Sequence, residues 1–156
     1  MTPKNTYNTR CYHWDNSSEY IKTVIDSLHY LGVGLRLGMD ITEHAERVQK
    51  SIQGQSVLAV FSGDTLVGGV SFPPILIPSP HYPGKCLYTG FMVVEPGHPG
   101  AALELIRSLR RIARDSGADW LIITRAVNDT DYLQKGWRIQ HGHGPGILGM
   151  GSSGVS

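Results

Sequence analysis

Leu87-Tyr-Thr-Gly-Phe-Met-Val-Val94, stopped by Glu95-Pro-Gly-His-Pro-Gly100, is the stretch on which the reading of the fold turns. The first eight residues are an almost unbroken apolar run, as expected of a strand buried on both faces. Proline and glycine at the density that follows end a strand and turn the chain. From Ala101 the apolar residues Ala102, Leu105, Ile106, Leu109, Ile112 and Ala113 recur at spacings of three and four, which predicts an amphipathic helix. Arg110, Arg111 and Arg114 fall near its negative end, and Gly117 is placed as a left-handed cap. A second apolar strand, Trp120 to Thr124, follows at once. Such a strand-loop-helix unit aims free backbone N–H groups at one spot, the arrangement that receives phosphate, and Gly100, Ala101 and Ala102 are small enough to admit a ligand. A βα turn needs the same break when it binds nothing.

At 156 residues the chain is long enough for one real core and too short for two full domains. Its net charge of +1 sets up no long-range field toward nucleic acid or an anionic membrane. Cys11 and Cys86 have no metal-ligand spacing and fit a reducing compartment. No apolar run approaches the roughly 20 residues of a membrane span, and the first residues lack the apolar core of a signal peptide. The expectation is a soluble, cytoplasmic protein without membrane or nucleic-acid partners.

Taken from the start, residues 1 to 15 read as a short strand or an ordered arm. Asn16 and Glu19 have capping-box spacing, and Tyr20, Ile21, Val24, Ile25, Leu28 and Leu31 give a first helix ending at Gly32. The glycines of Gly32 to Gly38 have the wrong spacing for a dinucleotide fingerprint, and the segment reads as a loop. Asp40 and Glu43 open a shorter helix that runs to Gly54. Val57 to Phe61 and Leu66 to Phe72, joined by Ser62-Gly-Asp64, predict a hairpin, with Gly68 and Gly69 marking a bulge or a close backbone approach. Pro73, Pro74, Pro78, Pro80 and Pro83 predict a stiff, extended arm that leaves the sheet. Residues 1–140 read as one domain and 141–156 as a Gly/Ser-rich tail.

Helix, helix, hairpin, strand, phosphate-type loop, helix and strand are followed by Asn128-Asp-Thr-Asp-Tyr132-Leu-Gln-Lys-Gly136-Trp137. In this order, over roughly residues 16 to 140, the chain resembles the GNAT superfamily of acyl-CoA N-acyltransferases; members often carry a tyrosine four residues before a Gly-Phe pair, as Tyr132 precedes Gly136-Trp137. The resemblance implies an α/β (α+β) fold, with a mixed, mostly antiparallel sheet, a splayed central strand pair and flanking helices. It further implies that acetyl-CoA lies in the splay, with Val93 and Val94 on the pantetheine. The amides of Gly100, Ala101, Ala102 and Leu103 would hold the pyrophosphate, Asn128 would stand on the other wall, and Tyr132, in a short fourth helix, would protonate the leaving thiolate. The acceptor would be a small-molecule or protein amine. Where the family loop has Arg/Gln-x-x-Gly-x-Gly/Ala, this chain has Pro99-Gly-Ala-Ala102-Leu-Glu104.

The core strand offers no carboxylate as general base. Glu95, His98, His81, Asp40 and Glu43 are candidate proton acceptors, each equally suited to a cap or a solvated loop. Arg107, Arg110, Arg111 and Arg114 form a basic stripe that suits a solvated helix face. His141-Gly-His143 lacks companion ligands for a metal, and neither cysteine has a histidine nearby in sequence to activate it. Two functions of different class stand: an acetyl-CoA-dependent N-acyltransferase, and a catalytically silent binding or structural module, for example of a phage assembly. For the second, and for any homo-oligomer, the proline-rich 73–85 arm and the tail are the candidate contacts.

Overall fold

The computed structural model describes residues 6–13, 24, 27 and 33–141. Most of the predicted first helix and nearly all of the tail lie outside the described residues. Strand β1 is Tyr7–Tyr12, and a helical turn, α1, covers Val33–Arg36, within the segment expected to be a loop. Helix α2, Ile41–Ser51, begins as its capping box predicts: the Asp40 carboxylate accepts from the amides of Thr42 (3.0 Å) and Glu43 (3.3 Å). Strands β2 (Ser56–Ser62) and β3 (Thr65–Phe72) form the expected hairpin, whose turn needs the positive φ of Gly63. Their register shifts where Val60 and Phe61 face Gly68 and Leu66, leaving Val67 as the extra residue on β3, next to Gly68. Gly68 serves a close approach as well: a Cβ there would lie 2.9 Å from the Val93 carbonyl oxygen.

The apolar run expected as one strand is two. Strand β5, Lys85–Tyr88, and strand β6, Met92–Val94, are separated by Thr89-Gly90-Phe91 and belong to different sheets. Helix α3 is Pro99–Asp115, and β7 is Trp120–Ala126. The first sheet runs β1-β2-β3-β6, antiparallel throughout. The second runs β4-β5-β7-β8, where β4 is Ile77–Pro78 and β8 is Tyr132–Arg138; only its β5–β7 pair is parallel. The proline arm therefore returns to edge the second sheet through β4. Its Leu76 packs on the core, and Tyr82 stacks on Trp120 with ring centroids 4.9 Å apart.

The apolar stripe of α3 covers both sheets. Ala101, Leu105, Leu109 and Ala113 pack with Leu58, Val60, Val70, Leu121 and Ile123 in the main core. Leu105 and Leu109 are fully buried, which stabilises the fold by roughly 1.5–3 kcal/mol each. On the other face of the first sheet, Val48 and Ile52 pack α2 against Val57 and Ala59, with Val24. Among the described residues no helix is long and apolar enough to cross a membrane.

Candidate functional site

The break in the apolar run places the site. Up to Thr89 the chain pairs with β7, and the Thr89 amide donates to the Ile122 carbonyl (3.0 Å). From Gly90 it belongs to β3. The Gly90 amide donates to the Ser71 carbonyl (2.7 Å), the Phe91 amide to Ser71 Oγ (2.9 Å), and the Ser71 amide to the Phe91 carbonyl (2.9 Å). Only glycine fits at the crossing, because a Cβ on residue 90 would stand 2.7 Å from Ser71 Oγ and 3.2 Å from Gln55 Oε1. Beyond this point β6 pairs with β3 and β7 with β8, so the two central strands splay.

Between them lies a cavity of about 420 Å³. One wall is Gly90 to Val93, the other Thr124, Arg125 and Ala126; Arg36, Ser51, Ile52, Gln55, Ser71 and Tyr132 complete the lining. At the apex Thr89 Oγ1 donates to the Ile122 carbonyl (3.3 Å) and accepts from the Thr124 amide (3.4 Å).

Alternation along the ladders decides which main-chain groups face the opening. Phe91 and Glu95 bond to β3, through Ser71 and Val67, so Val93 between them also turns its N–H and C=O to β3, opposite Gly69. Those of Met92 and Val94 point the other way, into the wedge. On β7 the Ile122 carbonyl and Thr124 amide face β5, and the same alternation turns Ala126 to the wedge. Of the two valines singled out in the sequence, Val93 lines the cavity but its backbone is committed to the first sheet, whereas Val94, whose backbone turns away from β3, is not among the described lining residues; Met92 both lines the cavity and turns its backbone to it.

The start of α3 is more occupied than its sequence suggests. His98 is the N-cap without a side-chain capping bond, and Pro99, the first helical residue, has no N–H. The Ala101 amide already donates to the His98 carbonyl (3.0 Å). The amides of Ala102 and Leu103 lie past the four that a helix leaves unpaired. Gly100 keeps its N–H outside the helical ladder, and the Tyr7 ring covers that residue; a Cβ there would be 2.7 Å from the ring. The Tyr7 hydroxyl hydrogen-bonds His98 Nδ1 (3.0 Å). Glu104 turns to Arg107 (2.8 Å).

Asn128 folds into the β7–β8 turn rather than onto a wall. Its Oδ1 accepts from the amides of Thr130 (2.9 Å) and Asp131 (2.8 Å), and its Nδ2 donates to Asp131 Oδ2 (2.8 Å). The short fourth helix implied by the resemblance is absent among the described residues, because this turn leads straight into β8, the last described strand, where Tyr132 pairs with Ala126. Tyr132 still lines the cavity, 59 % exposed at its mouth. Of the candidate proton acceptors, Asp40 caps α2 and Glu43 pairs with Arg47 (2.7 Å). His98 bonds to Tyr7, and neither His81 nor Glu95 is among the described lining residues. Thr89, Gln55, Arg36 and Arg125 were not singled out as site residues from the sequence. Gly90 inside an apolar run was the one available signal, as a glycine that breaks a strand.

No protein-family model matches the sequence, and no curated protein matches it. Solved structures do. An aminoglycoside acetyltransferase from an uncultured soil metagenomic sample superposes with a TM-score of 0.58 at 13 % identity, over 79 % of this chain and 82 % of that one. An N-acetyltransferase from Staphylococcus aureus gives 0.51 at 12 %, over 80 % and 74 %. A ribosomal-protein-alanine N-acetyltransferase from Brucella melitensis gives 0.50 at 16 %, over 76 % and 78 %. At these identities the likeness is one of fold: this chain has the GNAT fold, as its sequence order implied.

Proposed function

We propose that the wedge takes acetyl-CoA and that the protein transfers its acyl group to an amine. The observation that supports this reading is the pair of diverging strands with main-chain donors and acceptors of Met92 and Ala126 turned into a cavity of about 420 Å³. An extended pantetheine arm carries amides that can bond to such strand edges as a further strand would. Attack of a neutral amine on the thioester carbonyl forms the C–N bond and puts negative charge on the carbonyl oxygen, which a fixed N–H from β6 stabilises. The C–S bond then breaks. Tyr132, at the mouth of the same cavity, can give its proton to the departing thiolate. The nitrogen sheds one proton as the amide forms, and its passage through water restores the Tyr132 hydroxyl, so that the protons balance.

A second reading, a silent binding module, is favoured by the first turn of α3. There Pro99 lacks a donor, Ala101 is internally bonded and Tyr7 covers Gly100. Thermal unfolding with acetyl-CoA separates the two. A ligand at 100 times its Kd stabilises the native state by about 2.7 kcal/mol, which raises Tm by several degrees in a chain of this size. No rise at millimolar acetyl-CoA sinks the transferase reading and leaves the module.

A further inference from the structure

The cavity has a charge pattern that selects among amines. Its described titratable lining groups are Arg36, Arg125 and Tyr132, two of them permanently cationic and none a carboxylate. Arg36 is held at the rim by Asp129 (Nε to Oδ1, 2.8 Å); Arg125 has no ion pair among the described residues. Beside the strand crossing, Gln55 Oε1 is buried and without a hydrogen-bond partner among the described residues. The amide orientation follows from its neighbour: Nε2 faces the Ser51 carbonyl at 3.5 Å, an acceptor that the oxygen would repel. An orphan carbonyl oxygen therefore sits 3.2 Å from where a Cβ of Gly90 would be, at the inner end of the wedge.

We infer that the acceptor is an amine that carries its own acidic group, an amino acid or an amino-sugar phosphate in chemical class. Gln55 Oε1 accepts from its N–H, and Arg125 receives its carboxylate or phosphate. The inference rests on the acyl-transfer reading and goes beyond it by naming the acceptor. The physical reason is twofold. A guanidinium forks onto a carboxylate or phosphate through two parallel hydrogen bonds. A polyamine, by contrast, would bring like charge to Arg125 with no carboxylate in reach among the described lining residues. Bond changes are those of the proposed reaction: the amine nitrogen gains the acyl carbon, the thiol leaves with a proton, and the acidic group is unchanged.

The test measures thiol release from saturating acetyl-CoA with L-glutamate, glucosamine 6-phosphate and spermidine as acceptors, beside calorimetric acetyl-CoA binding. At least one anionic amine is expected to exceed spermidine tenfold or more in kcat/KM. Arg125→Gln should lower that value about tenfold, chiefly through KM, and by several times more than it lowers the value for spermidine, and Gln55→Ala should lower turnover of all three. A preference for spermidine overturns the inference, as does acetyl-CoA binding without acetylation of either anionic amine, or an Arg125→Gln loss equal for every acceptor. Absence of acetyl-CoA binding overturns the acyl-transfer reading itself, and the acceptor assignment with it.

Discussion

Thr89 Oγ1 accepts a hydrogen bond from the amide of Thr124 at 3.4 Å, where the next rung of a parallel ladder would otherwise stand. A side chain thus closes the ladder at the point where the strands part. Thr89 is 8 % exposed, so removing the hydroxyl leaves the Thr124 N–H without a partner. Thr89→Val should cost about 1–3 kcal/mol, the penalty of an orphaned donor, whereas Thr89→Ser keeps the bond and should cost less. Chemical denaturation of both variants checks this. Equal loss would mean that the methyl group, not the hydroxyl, matters at the apex.

Gly90→Ala places a methyl group against Ser71 Oγ, and Ser71 is held by its three bonds to Gly90 and Phe91. The expected outcome is a stability loss of about 1–3 kcal/mol and, on the acyl-transfer proposal, weaker acetyl-CoA binding, because the crossing sets the angle of the wedge. An unchanged Tm would show that Ser71 and Gln55 yield easily.

Gly100→Ala should clash with the Tyr7 ring, since the added carbon would come within 2.7 Å of it. Tyr7→Ala removes the obstacle. In a double-mutant cycle the second substitution should make the first less harmful than it is alone, a coupling of about 0.5–3 kcal/mol. Strict additivity would show that the ring moves aside without cost.

Gly136 lies under the ring of Tyr82, which belongs to the proline arm and also stacks on Trp120. Gly136→Ala should push the ring off, release the arm and expose the bond after Lys85 to trypsin. Faster cleavage there and altered tryptophan fluorescence are the readouts. Wild-type proteolysis rates would show that the arm is held by β4 and by the Trp120 Nε1 bond to the Pro83 carbonyl (2.9 Å) instead.

Cys86 is wholly buried, and burial pushes its thiol up, with the Asp119 carboxylate adding to the effect. The folded state therefore resists ionisation where the unfolded thiol, near 8.5, gives up its proton. This contribution to stability is present below that value and is lost as pH rises above it. Between about pH 8 and pH 10 wild-type Tm should fall more steeply than that of Cys86→Val; parallel curves would remove Cys86 as the cause.

Much of this architecture was legible because it is written in local periodicity. The stripe from Ala101 to Ala113, the Asp40 cap and the Ser62-Gly-Asp64 turn each report on their own neighbours. What was not legible depends on partners distant in sequence. Leu87 to Val94 is almost wholly apolar, and apart from Gly90 nothing local says that its first half belongs beside β7 and its second beside β3. Strand β8 was missed because Tyr132-Leu-Gln-Lys-Gly-Trp-Arg138 is mostly exposed and polar, so its strand character comes from pairing with β7. The site residues Gln55 and Arg125 carry no motif. They matter only through the cavity that the crossing at Gly90 opens between the sheets.

The backbone groups of Met92 and Ala126 that face the gap are common to any residue type except proline. A gap lined by such groups imposes little on the letters of the sequence and much on the path of the chain. A fold built this way tolerates wide variation in its letters, in keeping with the 12–16 % identity that accompanies superposition over three-quarters of the chain or more.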